Sequence, residues 1–286
     1  MKKLLTVLMI LFCLSAQAQI SESPRVEYTL DSALEETGAV RPNQPASRIL
    51  RSVVRRGDTN PDDAVSSAGL FEELSLDYSY LSTRFDDDLV GGSGDVEEHR
   101  IALTSQLNED TSLSLSYSNI AYSYTTSSPD FETMAHGLEF FGHHNLTEHF
   151  GIGGFVFYQD VDIENLNGNT YTYGGGVVVT TDHDLGFAYL STATTLSQVD
   201  FDSDDDTVVV LIADLSKPLN DRLEVGLFVG YTDSLHSHEL DTAYWSVGTD
   251  LNWMYKDYTF TIGYETTLEL DDYEDDSVLV NVSYAF

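Results

Sequence analysis

Cysteine is nearly absent from this chain: Cys13 is the only one in 286 residues. It lies inside a leader-like stretch, so the mature chain reads as having no thiol. That excludes disulfides, cysteine nucleophiles and thiolate-bound metals. Bases are scarce as well, with 13 Lys and Arg against 48 Asp and Glu and a formal net charge of -35. The shortage is local. Eight bases and eight acids precede Gly69, whereas from Gly69 onward only Arg84, Arg100, Lys217, Arg222 and Lys256 face 40 acids. Such a surface repels nucleic acid and attracts cations. No apolar run reaches the roughly 20 residues that a transmembrane helix needs. The sequence holds no G-x-S-x-G, no G-x-x-x-x-G-K-[ST] and no H-E-x-x-H. With no motif for a nucleophile elbow, a phosphate loop or a zinc protease, it reads as a non-enzyme without a cofactor.

Residues 1–18, MKKLLTVLMILFCLSAQA, have the parts of a secretory signal. Lys2 and Lys3 precede an apolar run from Leu4 to Leu14, and Ala16-Gln17-Ala18 supplies a small-x-small cleavage site. Phe12 stands where a lipoprotein signal needs a small residue before its cysteine, which argues against lipidation at Cys13. Residues 19–68 form a second, Pro- and Arg-containing region. Within it, residues 46–56 match a short amphipathic helix. Ile49, Leu50, Val53 and Val54 share one face, and Arg48, Arg51, Arg55 and Arg56 surround it.

From Gly69 the apolar period becomes two. Leu74, Leu76, Tyr78 and Tyr80 alternate, as do Leu113, Leu115 and Tyr117 with serine at each even position from 112 to 118. The pattern recurs through Leu223, Val225, Leu227, Val229 and Tyr231, and through Tyr258, Phe260, Ile262 and Tyr264. Period two over about ten residues is the strand signature. Near Ile120 the apolar parity switches to Tyr122 and Tyr124, which predicts a bulge. In GIGGFVFYQD and TVVVLIADL apolar residues are adjacent, so periodicity does not assign their faces.

Short connections near 108–110, 145–149, 182–184, 217–221 and 256–257 alternate with longer acidic ones near 85–96, 127–133, 160–170, 200–206, 232–241 and 271–276. Five short and six long connections join twelve strands, so residues 69–286 are expected to form a closed up-and-down antiparallel transmembrane β-barrel. The positions between the apolar ones are mostly Ser, Thr, Gly, Ala and Asn, unlike a solvated sheet. Trp245 and Trp253 share a face eight residues apart, roughly 19 Å along the membrane normal at a tilt near 45°, and mark two candidate girdles. All five barrel bases are read as lying near strand ends or turns.

The chain ends VLVNVSYAF. With a signal peptide and amphipathic strands, this ending resembles Gram-negative outer-membrane β-barrel proteins. The resemblance covers residues 69–286 and implies residence in the bacterial outer membrane, amid lipid and lipopolysaccharide. It also implies that Val280, Val282, Tyr284 and Phe286 are the assembly signal read by the barrel-assembly machinery. The function it implies is a porin-like passive channel for small solutes. The alternatives are a non-conducting structural or surface-interaction barrel and, less favoured, a barrel lipid hydrolase.

With the apolar stripes outward, Asp77, Glu139, Glu224, Asp250 and Glu265 point inward with the lone base Arg100. They predict an electronegative lumen with a preference for cations. The basic residues Arg48, Arg51, Arg55 and Arg56 make segment 19–68 either a lumen plug or a periplasmic tail. The run DFDSDDD at 200–206 reads as a solvated loop tip or a weak site for divalent cations; it lacks the glycine and distal glutamate of an EF-hand. His236 and His238 have no evident third ligand, so no metal site is assigned.

Overall fold

The computed structural model describes residues 73–87, 92–125, 131–163, 168–201, 204–235, 243–268 and 273–286. Residues 1–18 expected to be a signal, segment 19–68 with Arg48, Arg51, Arg55 and Arg56, and the histidines at 236 and 238 lie outside the described residues.

Twelve strands follow one another in chain order. They are β1 (Glu73–Asp87), β2 (Gly92–Asn108), β3 (Thr111–Thr125), β4 (Phe131–Thr147), β5 (Phe150–Ile163), β6 (Gly168–Asp184), β7 (Tyr189–Phe201), β8 (Asp204–Asn220), β9 (Leu223–Ser234), β10 (Tyr244–Tyr255), β11 (Tyr258–Leu268) and β12 (Tyr273–Ala285). Each pairs antiparallel with its chain neighbours, and β12 closes on β1, with Tyr78 opposite Val282 and Tyr80 opposite Val280. Closure leaves no sheet edge, as a sheet in hydrocarbon requires, because each unpaired backbone group there costs several kcal/mol. The seam is finished at its end by the Phe286 amide, which donates to the Leu74 carbonyl at 2.8 Å.

The register offsets of the twelve pairings add up to a shear of 14 residues around the ring. That shear corresponds to a strand tilt of about 40°. With strands about 4.8 Å apart, the backbone cylinder is about 24 Å across.

The two ends differ as expected, but less in length. At one end two residues suffice between Asn108 and Thr111, Thr147 and Phe150, Asn220 and Leu223, and Tyr255 and Tyr258. Three register shifts sit at this turn end, one of them between Pro218 and Asn220, where proline removes a ladder donor. At the other end the acidic stretches expected to be loops are largely paired strand. Asp87 pairs with Gly92, Ile163 with Gly168 and Phe201 with Asp204, so only β9–β10 keeps a long connection. Ladder hydrogen bonds continue past the apolar band because acids exposed to water do not oppose them.

Two further expectations are corrected. No bulge interrupts β3 at Ile120, where the register runs unbroken from Ser93–Thr125 to Gln106–Ser112. The apolar parity changes because Ile120 and Tyr122 face inward and are buried. Arg100 is not near a strand end: it stands midway along β2 and points inside.

The outer face is an apolar band. Leu103, Leu115, Leu138, Val156, Leu227, Leu251 and Ile262 are all exposed on it. Aromatic rings bound it at both ends. At the turn end, Trp253 stacks on Phe260 at 5.3 Å, Tyr258 meets Tyr284 at 4.7 Å, and Tyr284 meets Phe286 edge-on at 4.7 Å. At the acidic end, Trp245 packs on Tyr231 at 5.0 Å. There Tyr80, Tyr173, Tyr231 and Tyr264 donate to Glu97, Asp200, Asp233 and Asp276. Rings that hold apolar bodies against the band and hydroxyls toward water suit a membrane interface.

Candidate functional site

The candidate site is the barrel interior. The two segments whose faces the sequence left open are now assigned. Phe155, Phe157, Gln159 and Val161 of β5 point in while Val156 and Tyr158 point out; Val208, Val210, Ile212 and Asp214 of β8 point in. Of these, Phe155, Phe157, Val208, Val210 and Ile212 join Phe141, Val178, Ala193 and Val199 in one inner apolar wall running from β4 to β8. The sequence reading did not find this wall: it took the inward positions as mostly small and left the faces of these two runs unassigned. The missing signal was the face of each run, which only pairing to a neighbour of known face supplies.

The rest of the interior is mixed: Leu81, Phe85, Val96, Ile120 and Tyr122 are buried inside β1–β3, and polar groups stand among them. Arg100 is the only base facing inward among the described residues, and it is held. Its Nη2 donates to Glu139 Oε1 at 2.7 Å and to Ser116 Oγ at 2.9 Å, with both side chains of the pair largely covered. The register explains the meeting: Arg100 pairs with Ser118 and Glu139 with Ser116, so guanidinium and carboxylate reach across β3 over serines too small to separate them.

A second group forms toward the turn end. Asn252 Nδ2 donates to Glu224 Oε1 at 3.2 Å and to Asp250 Oδ1 at 3.1 Å, and Thr261 Oγ1 donates to Asn252 Oδ1 at 2.7 Å. Asp250 lies over Gly226, its register partner, where a Cβ would come within 2.7 Å of its carboxylate. Strand pairing thus brings Glu224 and Asp250 together through Asn252. Asp77 and Glu265 face inward on β1 and β11. Two inward acids, Glu98 and Asp214, were not foreseen; both are buried. Among the described residues the inward charged side chains are therefore carboxylates, with Arg100 the exception.

Among the described residues the histidines are spread over the barrel, with only the rings of His149 and His183 meeting, at 5.8 Å. His143 faces inward, 2.9 Å from the Thr180 hydroxyl, whereas His99 and His136 face outward beside Tyr78 and Tyr117. Among the described residues no group of three or more His, Asp or Glu is placed to hold a metal ion. Within the acidic run at 200–206, Asp206 accepts from Ser234 and Asp200 from Tyr173. Of the terminal stripe, Val280 and Phe286 are exposed on the outer face, and Tyr284 belongs to the turn-end girdle.

No protein-family model matches the sequence, and no curated protein matches it either. Solved structures do resemble it. The translocator domain of autotransporter NalP from Neisseria meningitidis superimposes with a TM-score of 0.64 at 14% identity, covering 88% of this chain and 98% of that one. The β domain of the Bordetella autotransporter BrkA gives 0.61 at 11% identity over 75% of this chain and 100% of that one. The COG4313 outer membrane channel from Pseudomonas putida F1 gives 0.57 at 11% identity over 80% and 100%. At these identities the likeness is one of fold: the chain has the closed antiparallel fold of outer-membrane β-barrels.

Proposed function

We propose that the protein resides in the bacterial outer membrane and acts as a passive channel for small solutes with a preference for cations. One observation carries the reading. Every inward charge among the described residues is a carboxylate except Arg100, and Glu139 neutralises that base at 2.7 Å. Acids at low-dielectric walls raise the local concentration of cations and exclude anions. Twelve strands leave more room than the eight whose side chains just fill a barrel, and less than the 16–18 of wide porins. The pathway therefore suits small solutes.

The test is reconstitution in planar bilayers under a salt gradient. A reversal potential of cationic sign supports the reading; an anionic sign sinks it. Absence of any conductance steps favours a second reading, a non-conducting surface barrel. That reading draws on the acidic strand ends beyond the upper girdle, where Glu97, Asp200, Asp233 and Asp276 accept from tyrosines. Such ends would meet divalent cations and lipopolysaccharide.

A further inference from the structure

The register of the last four strands arranges four inward acids by one rule. Glu224 of β9 stands opposite Asn252 of β10, and Asp250 is two residues nearer the acidic end. Asp250 stands opposite Gly263 of β11, and Glu265 is two residues nearer that end. Glu265 stands opposite Ser277 of β12, and Asp275 is again two residues nearer it. Each acid thus lies one strand over and two residues up from the one before. Neighbouring strands are about 4.8 Å apart, and two residues rise about 6.6 Å. At a strand tilt of about 40° the sideways parts of these displacements nearly cancel, and the axial parts add to about 8 Å. The four positions therefore form a straight file parallel to the barrel axis, about 24 Å from end to end. That length is close to the height of a barrel's apolar band, about 25 Å.

The wall around the file differs from the rest of the interior. Within residues 246–252, 259–267 and 275–283, Leu279 is the only apolar side chain that points in. Toward the acidic end, β1–β3, β5, β7 and β8 instead turn in Leu81, Val96, Ile120, Val161, Val199 and Val208, all buried. So β10–β12 keep a polar sector from one end of the barrel to the other. The Phe228 ring, laid over Gly248, flanks the step from Asp250 to Glu265 with a low-dielectric surface, beside which the field of a carboxylate is focused. An atom outside the set of acids also points to a ligand. Asn281 Oδ1, on the inner face of β12 opposite Thr261, is buried without a hydrogen-bond partner. A buried acceptor calls for a partner, and a cation is the partner that the neighbouring carboxylates would hold as well.

We infer that this file is the route of cations through the barrel: small monovalent cations pass along β9–β12 from carboxylate to carboxylate, and not along the apolar wall of β4–β8. Sites about 8 Å apart lie within a Debye length at physiological salt, so an ion on one acid repels its follower. Several such sites in line let an ion leave as readily as it enters.

The inference deepens the channel reading and rests on it for the current, but the route is also read without current. In a potassium chloride gradient, Glu265→Gln and Asp275→Asn are each expected to lower the potassium-to-chloride permeability ratio at least threefold. Asp77→Asn and Asp214→Asn, which remove inward acids off the file, are expected to lower it by less than half as much. No cysteine follows Cys13, so Thr267→Cys beside Asp275 and Ala193→Cys on the apolar wall each give the mature chain a single thiol. Thr267→Cys is expected to react at least tenfold faster with a cationic methanethiosulfonate than with an anionic one of similar size. Ala193→Cys is expected to show less than a threefold preference or no reaction. Equal losses of selectivity on and off the file, equal reagent preference at the two thiols, or no reaction at Thr267→Cys overturns the route. A parent that conducts potassium while the file variants keep its selectivity removes the file and leaves the channel. A barrel that passes no current but keeps the reagent preference at Thr267→Cys keeps the file and removes the channel.

Discussion

The ring of Phe157 lies across Gly174, its register partner on β6, where an added Cβ would stand 2.8 Å from two ring carbons. Phe155 covers Gly176 in the same way at 2.9 Å, and Phe85 and Phe228 lie over Gly94 and Gly248. These four inward phenylalanines are thereby laid against the wall rather than across the bore. Gly174→Ala is expected to lower stability by about 1–3 kcal/mol through overpacking. Gly263→Ala, whose nearest contact would be an ordinary 3.5 Å, is expected to be near neutral. Urea unfolding in lipid vesicles measures both, and equal losses would show that ring placement is irrelevant.

The Arg100–Glu139 pair makes a sharper prediction. Removing one member of a covered ion pair leaves an uncompensated charge and costs about 3–5 kcal/mol, whereas replacing both is far milder. Arg100→Met is therefore expected to be strongly destabilising. Adding Glu139→Gln to it is expected to restore most of the loss. The double-mutant cycle reads the coupling directly, and additive losses would mean that the two side chains do not depend on each other.

Much of this barrel is legible in the sequence because its outward half alternates cleanly. Leu223 to Tyr231 and Tyr258 to Tyr264 declare their faces, and the position of Phe286 marks where the last strand closes. What is not legible follows from a wall that is also apolar inside. Around Ile120 a switch of parity reads as a bulge, although the register is unbroken: the outward positions turn to Asn119, Ala121 and Ser123 while the inward Ile120 and Tyr122 are buried. In GIGGFVFYQD and TVVVLIADL the same ambiguity hides Phe155, Phe157, Val208 and Val210. Arg100 and Glu139 lie 39 positions apart in the chain, and nothing local joins them. Only the register across β3 does.

The closing seam gives a third prediction. The Phe286 amide pairs with the Leu74 carbonyl at 2.8 Å, and the Phe286 ring meets Tyr284 edge-on. Deleting Phe286 removes that last bond between the chain's end and β1, together with a ring pair worth about 0.5–1.5 kcal/mol. Phe286→Leu keeps the amide and the apolar surface. The deletion is expected to slow the appearance of the compact, heat-resistant form on gels during refolding into lipid, with Phe286→Leu close to the parent. Indistinguishable rates for deletion and parent would show that the seam forms without its final residue.

The lipid-facing reading of the outer wall is tested on a single strand. Leu251 and Tyr255 share the outer face of β10, four residues apart; Leu251 stands within the apolar band and Tyr255 at the turn beside Lys256, whose ammonium lies 5.4 Å from its ring. An arginine at the bilayer midplane costs about 2–4 kcal/mol, and one near the interface about 0–1 kcal/mol. Leu251→Arg is therefore expected to destabilise the barrel by at least about 2 kcal/mol in vesicles, and Tyr255→Arg by little beyond the loss of its stacking on Trp253 at 6.0 Å. A water-facing wall gives the opposite order, because charge on an exposed strand is cheap and the aromatic contact is then the larger loss. The sign of the difference between the two variants thus reports what medium surrounds the band.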